Sequence, residues 1–255
     1  MCHVPGSVPA IPPIAGAAVD SEDVVLTSKD GTKFQAFTAR AEKPSGAGMV
    51  VMPDIRGLHH FYEELALRFA EEGINSIAMD YFGRTAGVGK RADEFPWMEH
   101  IPQTKAEGIS DDVAASVAYL KSPAGGSCTS VFTVGFCFGG SASWLQVANG
   151  HGLSGAIGFY GGPTRPGRDG SPSVVQRVPE FTAPILGLMG GADQGITAEN
   201  IDEYRAALKA AGKQGEIITY PGAPHSFFDR SFVENAEASA DAWKRCLAFV
   251  RSNAK

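Results

Sequence analysis

The chain has 255 residues, a formal net charge of −6 and an apolar fraction of 44%. That composition supplies a sizeable globular core, and without a Lys/Arg cluster it argues against a nucleic-acid partner. Four cysteines in so long a chain are no disulfide scaffold, and no Cys/His spacing suits a metal. No apolar run approaches a membrane span and no basic stretch precedes an apolar leader, so a cytoplasmic protein without membrane contact is expected.

Residues 1–18 are rich in Pro, Gly and Ala and read as an extended arm. From residue 19 to 255 the pattern is that of a single domain. Residues 23–27 and 34–39 form a hairpin pair around Asp30-Gly31. The apolar run 49–52 reads as a buried parallel strand. A helix follows over 61–72, with Tyr62, Leu65 and Phe69 on one face and Gly73 as its stop. The next strand is 74–79, and the helix over 109–121 turns Val113, Val117 and Leu120 inward. Strand 131–134 leads to a helix over 138–148. Further strands are expected at 155–159, 185–189 and 216–220. A helix capped by Thr197 carries Ile201, Tyr204 and Leu208, and the last helix covers 237–251, with Trp243, Cys246, Leu247 and Val250 on one face. Strands alternating with helices predict an α/β fold: a mostly parallel sheet of about eight strands, covered on both faces. Residues 82–108 and 161–180 break the alternation. Each follows a strand end, the edge where open sheets bind ligands, so they are candidate rim or lid segments.

The most informative segment is Gly135-Phe136-Cys137-Phe138-Gly139-Gly140, directly after a strand. It reads as a nucleophile elbow with cysteine in the serine position. A sharp strand-to-helix turn projects the side chain into a pocket, and the flanking glycines avoid collisions with the neighbouring strand and helix. The N-terminus of the following helix favours a thiolate and a developing oxyanion. A buried structural cysteine in a tight turn is the competing reading.

Such a nucleophile needs a base, and the base needs an orienter. Asp193 follows strand 185–189 through Gly190-Gly191-Ala192. His225 follows strand 216–220 through Pro221-Gly222-Ala223-Pro224. The order nucleophile, acid, histidine, each just past a strand, is that of α/β hydrolases. The loop after strand 49–52, Pro53-Asp54-Ile55-Arg56-Gly57, would give one oxyanion-hole amide at Ile55, and Phe138 would give the other. Three roles suit Asp54: accepting the thiol proton, holding Arg56 for function, or a purely structural pairing with Arg56. His3, His59, His60, His100 and His151 stand in no metal-ligand pattern.

Taken together, these residues resemble the dienelactone hydrolase family. The resemblance rests on Pro53–Gly57, Asp80-Tyr81-Phe82-Gly83-Arg84, the Gly-x-Cys-x-Gly-Gly elbow, Gly190–Asp193 and His225-Ser226-Phe227, and covers roughly residues 20–253. It implies an α/β-hydrolase fold without a large cap domain and a Cys137–His225–Asp193 triad with Asp54 beside it. It implies opening of an enol-lactone or ester through a thioester, with dienelactone giving maleylacetate as the type reaction, and no cofactor. It also implies substrate contacts from Tyr81, Arg56, Arg84 or Arg91, and Arg230. Two departures stand out. The family's type pattern has glutamate at the position of Asp54. Its substrate-binding arginine, four residues after the histidine, is here Asp229, with Arg230 one later.

The expected partner is a small lactone or ester, anionic or neutral, and the expected assembly is a monomer or weak homodimer. The alternatives are a cysteine-dependent esterase or thioesterase of broader specificity, and a non-catalytic small-molecule-binding protein on the same scaffold. A glutaminase is disfavoured because His225-Ser226-Phe227 lacks the following glutamate. Phe82, Trp97 and Trp144 are either pocket or packing residues.

Overall fold

The structure, a computed structural model, describes residues 8–14 and 19–255. Most of the expected N-terminal arm, with Cys2 and His3, lies outside the described residues. In the part described, Pro9 is buried, Ile11 packs on the core, and the Ile14 amide donates to Glu71 Oε2 at 3.1 Å.

Strands β1 (Val19–Thr27) and β2 (Lys33–Ala41) form an antiparallel hairpin at one edge. The hairpin is longer than the sequence pattern indicated, running from Val19 opposite Ala41 to Thr27 opposite Lys33. Strands β3 (Ala47–Met52), β4 (Asn75–Met79), β5 (Ser130–Phe136), β6 (Gly155–Phe159), β7 (Ile185–Gly190) and β8 (Gly215–Tyr220) are parallel to one another. Together they make an eight-stranded sheet in the order β1-β2-β4-β3-β5-β6-β7-β8. The central strands are buried along their whole length, as parallel strands covered on both faces must be.

Helices α1 (His60–Glu71) and α8 (Ala236–Asn253) pack side by side, with Phe69 and Trp243 rings 4.7 Å apart. Helices α4 (Ala106–Lys121), α5 (Phe138–Gln146) and α7 (Ala198–Ala210) form a second layer, where Trp144 of α5 meets Tyr204 of α7 at 5.1 Å. Trp144 is fully buried and its indole N–H donates to Leu186 O at 3.0 Å, which makes it a core residue. Three one-turn helices, α2 (Gly83–Ala86), α3 (Trp97–His100) and α6 (Val174–Arg177), lie in the two segments that broke the sequence pattern. No helix among the described residues is long and apolar enough to cross a membrane.

Register levels the strand ends. Met52 sits opposite Gly135, Phe136 opposite Phe159, and Gly190 opposite Tyr220. The loops after β3, β4, β5, β6, β7 and β8 therefore leave one edge of the sheet, and each carries a residue of the site.

Candidate active site

Cys137 joins β5 to α5 with φ +54° and ψ −113°, a conformation that a side chain rarely adopts. Its amide donates to Phe159 O at 3.0 Å, and its carbonyl accepts from the Gly140 amide at 3.0 Å, which starts the helix. The glycines are required by close approach. A Cβ on Gly135 would stand 1.9 Å from Gly139 O, and one on Gly139 would stand 2.2 Å from Pro53 O and 2.3 Å from Met52 O. The elbow is thus packed backbone to backbone against the loop after β3, the loop expected to share the oxyanion hole. Ile55 and Phe138 line the same cavity as Cys137.

His225, in the loop after β8, places Nδ1 2.6 Å from Asp193 Oδ2. The other Asp193 oxygen accepts from the amides of Gly195 (2.8 Å) and Ile196 (3.2 Å). Burial pushes the Asp193 pKa up, but the bond to His225, its charge and the two amides outweigh it, and the carboxyl stays below its ordinary value. Asp193 is therefore an anion aimed at the imidazole. His225 and Cys137 face one cavity of about 530 Å³.

Asp54 is fully buried just behind the elbow. Its Oδ1 accepts from the Arg56 amide at 2.8 Å, and its own amide donates to Tyr62 Oη at 3.0 Å, so the side chain shapes the loop that presents Ile55. Arg56 is buried as well and is not among the residues lining the cavity. Tyr81 is buried beneath the site, donates to Pro53 O at 2.7 Å and packs edge-on against Phe138. Burial first, then the charges of Asp54, Asp80 and Cys137, raise its pKa well above the ordinary value, so it is a neutral donor tying the loop after β3 to the start of α5.

The remaining arginines expected from the sequence stand elsewhere. Arg84 pairs with Asp112 (2.7 Å) and Asp30 (2.8 Å), bracing the β1–β2 hairpin against α4. Arg91 pairs with buried Asp80 at 2.8 Å and lies over the Phe95 ring. Arg230 is exposed and lines no part of the cavity. Phe82 is fully buried against Phe95 and His100, a packing role. The cavity's own arginines are Arg165, Arg168 and Arg177, all from the 161–180 segment.

Sequence reasoning missed two residues. Tyr160, immediately after β6, has φ +37° and lays its ring 4.9 Å from that of His225. Its hydroxyl donates to Asp229 Oδ2 at 2.6 Å, and Asp229 is fully buried. Burial is the main force raising the Asp229 pKa to about 7, with Asp54 adding to it and Tyr160, the Arg230 amide and His225 opposing. A tyrosine followed by two glycines at a strand's carboxyl end was the signal available for Tyr160. Among the described residues no group of three His, Cys, Asp or Glu side chains is placed to hold a metal ion.

The profile of the dienelactone hydrolase family matches residues 34–253. The chain belongs to the dienelactone hydrolase family. It is 30% identical to an Escherichia coli protein named "Putative carboxymethylenebutenolidase", over 96% of this chain and 94% of that one. It is 28% identical to a Bradyrhizobium protein named "Probable 2-oxo-3-(5-oxofuran-2-ylidene)propanoate lactonase", over 87% of this chain and 91% of the other. Among solved structures, the "Putative Dienelactone Hydrolase" of Klebsiella pneumoniae superposes with a TM-score of 0.81 at 26% identity, covering 92% of this chain and 99% of that one. The mostly parallel sheet with helices on both faces is the α/β-hydrolase fold.

Proposed function

We propose that the protein hydrolyses a lactone or small carboxylic ester through a Cys137–His225–Asp193 triad and a thioester intermediate. Membership of the dienelactone hydrolase family makes the chain a hydrolase of carboxylic ester bonds. The observation that supports the finer reading is the joint geometry: a strained cysteine at a helix N-terminus facing the same cavity as a histidine held 2.6 Å from a buried carboxylate.

In this mechanism the substrate carbonyl lies beside Cys137. A free thiol, with a pKa of about 8.5, needs help at neutral pH. His225 takes the proton, and Asp54 behind the elbow assists. Sγ bonds to the carbonyl carbon while the Ile55 and Phe138 amides receive the oxyanion. Collapse expels the alkoxide or enolate, which leaves with the proton from His225 and remains attached in a lactone. Water, deprotonated by His225 with Asp193 stabilising the imidazolium, then cleaves the thioester and frees the acid. No cofactor enters any step.

The test is turnover of a dienelactone and of an aryl acetate by wild type and Cys137→Ala, with mass spectrometry of the acid-quenched enzyme. The reading expects loss of at least about 10³-fold activity and an acyl adduct on Cys137. Full turnover by Cys137→Ala on both substrates would remove Cys137 as nucleophile.

A further inference from the structure

The cavity does not end at the nucleophile. From Cys137 it follows one face of α5 through Phe138, Ser141, Ala142 and Leu145 to Gln146, about 12 Å from Phe138 to Gln146 at the rise of an α-helix. Ile109 of α4, Val174 of α6 and Ile196 form the facing walls. Between Cys137 and Gln146 those walls are largely apolar.

The far end is polar, but its hydrogen bonds are spoken for. Gln146 Oε1 accepts from Asn149 and meets His151 Nε2, while its amide N–H donates to Ala142 O. Arg177 donates to Glu180 at 2.7 and 2.9 Å, to Asn149 at 3.2 Å and to Ala148 O at 3.2 Å. Its charge is answered by Glu180, so the end wall is no anion site. Arg165 and Arg168 are exposed on the rim. Overhead, Asp169 Oδ2 accepts from the Ala106 amide at 2.7 Å, so the 161–180 segment is fastened across the groove to the first turn of α4.

Among the described residues no buried cation lines the cavity: its arginines are Arg165 and Arg168, exposed on the rim, and Arg177, paired with Glu180. Asp54 and Asp229 are fully buried outside its lining, and Asp229 accepts from the hydroxyl of Tyr160, whose ring lies 4.9 Å from that of His225.

We infer that the substrate is an elongated ester with an uncharged apolar arm that runs from Cys137 along α5 beneath the Asp169–Ala106 strap, rather than a compact anionic lactone. This rests on Cys137 being the ester-cleaving nucleophile.

The experiment uses two ester series from two to ten carbons, 4-nitrophenyl alkanoates and alkyl acetates, so that either arm can report. In one of them kcat/KM rises roughly two- to fourfold per methylene until the chain meets Gln146, the gain expected for burying apolar length. Leu145→Trp, and Ile109→Trp from the opposite wall, lower the ratio of ten-carbon to two-carbon kcat/KM at least tenfold. Methyl alkyl ketones, which cannot be hydrolysed, slow alkylation of Cys137 by iodoacetamide more strongly as they lengthen, and less so in the two variants. Flat profiles in both series, an unchanged ratio in both variants, or a preference for the carboxylated dienelactone over the ten-carbon ester would overturn the inference while leaving Cys137-dependent acetate turnover intact. Acetate turnover that survives Cys137→Ala strikes the catalytic reading instead, and the ketone protection then decides the groove on its own.

Discussion

Asp193 holds His225 with one oxygen and its own loop with the other. Oδ2 lies 2.6 Å from the imidazole, while Oδ1 takes the Gly195 and Ile196 amides. One oxygen thus orients the ring while the other fixes the carboxylate in its loop. Asp193→Asn keeps an acceptor for the loop but offers an amide to the ring, which favours the wrong tautomer. We expect kcat for an aryl ester to fall about 10³- to 10⁴-fold with little change in melting temperature. A loss below tenfold would show that His225 does not depend on that carboxylate.

Asp54 combines a buried charge with a backbone bond to Arg56. Asp54→Asn retains the acceptor and removes the charge; Asp54→Ala removes both. If the carboxylate helps take the thiol proton, Asn alone lowers kcat/KM about 10- to 100-fold, within the usual reach of general-base help. The rate of Cys137 alkylation against pH reads the same property directly, and should shift in both variants. Activity retained by Asn and lost by Ala would make Asp54 a support for the loop only.

Gly139→Ala puts a methyl 2.2 Å from Pro53 O, a backbone atom that cannot swing away. The helix start and the loop after β3 must then separate. We expect a stability loss of about 2–4 kcal/mol in urea unfolding, in the range of severe overpacking. Activity should fall further than stability, because the displaced segments carry the Ile55 and Phe138 amides.

Asp229 gives stability a pH dependence. Its carboxyl ionises near pH 4 in the unfolded chain but is raised to about 7 by burial in the fold. Its contribution is complete below pH 4 and is lost as pH rises toward 7, because the unfolded chain releases a proton that the fold retains. Asp112, raised to about 6 chiefly by burial against the pull of Arg84 and Ser28, acts in the same direction over a narrower window. Asp229→Asn, which keeps an acceptor for the Tyr160 hydroxyl, should flatten the fall in melting temperature between pH 6 and 7.5. Each kcal/mol appears as about 2–4 °C in a chain of this size. An identical slope in both proteins would refute the assignment.

The sheet and the elbow were legible in the sequence because their signals are local. A strand pattern, a Gly-x-Cys-x-Gly turn and a helix are neighbours in the chain, and Asp193 and His225 each follow a strand directly. The arginines were not legible, because their fate depends on distant partners. Arg84 is taken by Asp30 and Asp112, and Arg91 by Asp80, contacts that tertiary packing alone creates. Asp229 stood out only as a departure from the family's arginine, and the fold buries it against Tyr160 from the loop after β6. The 161–180 segment was marked as a candidate rim by its place after a strand end, and it does line the cavity, but without periodicity nothing local showed which of its side chains would do so.

The backbone at Cys137 has a consequence for how the family line of this chain can change. At φ +54° and ψ −113° glycine is at ease and every other residue is held against its preference. Replacement by glycine would therefore relax the turn and firm the fold while ending any thiol chemistry. Robustness of the fold and possession of a thiol therefore pull in opposite directions at this one position.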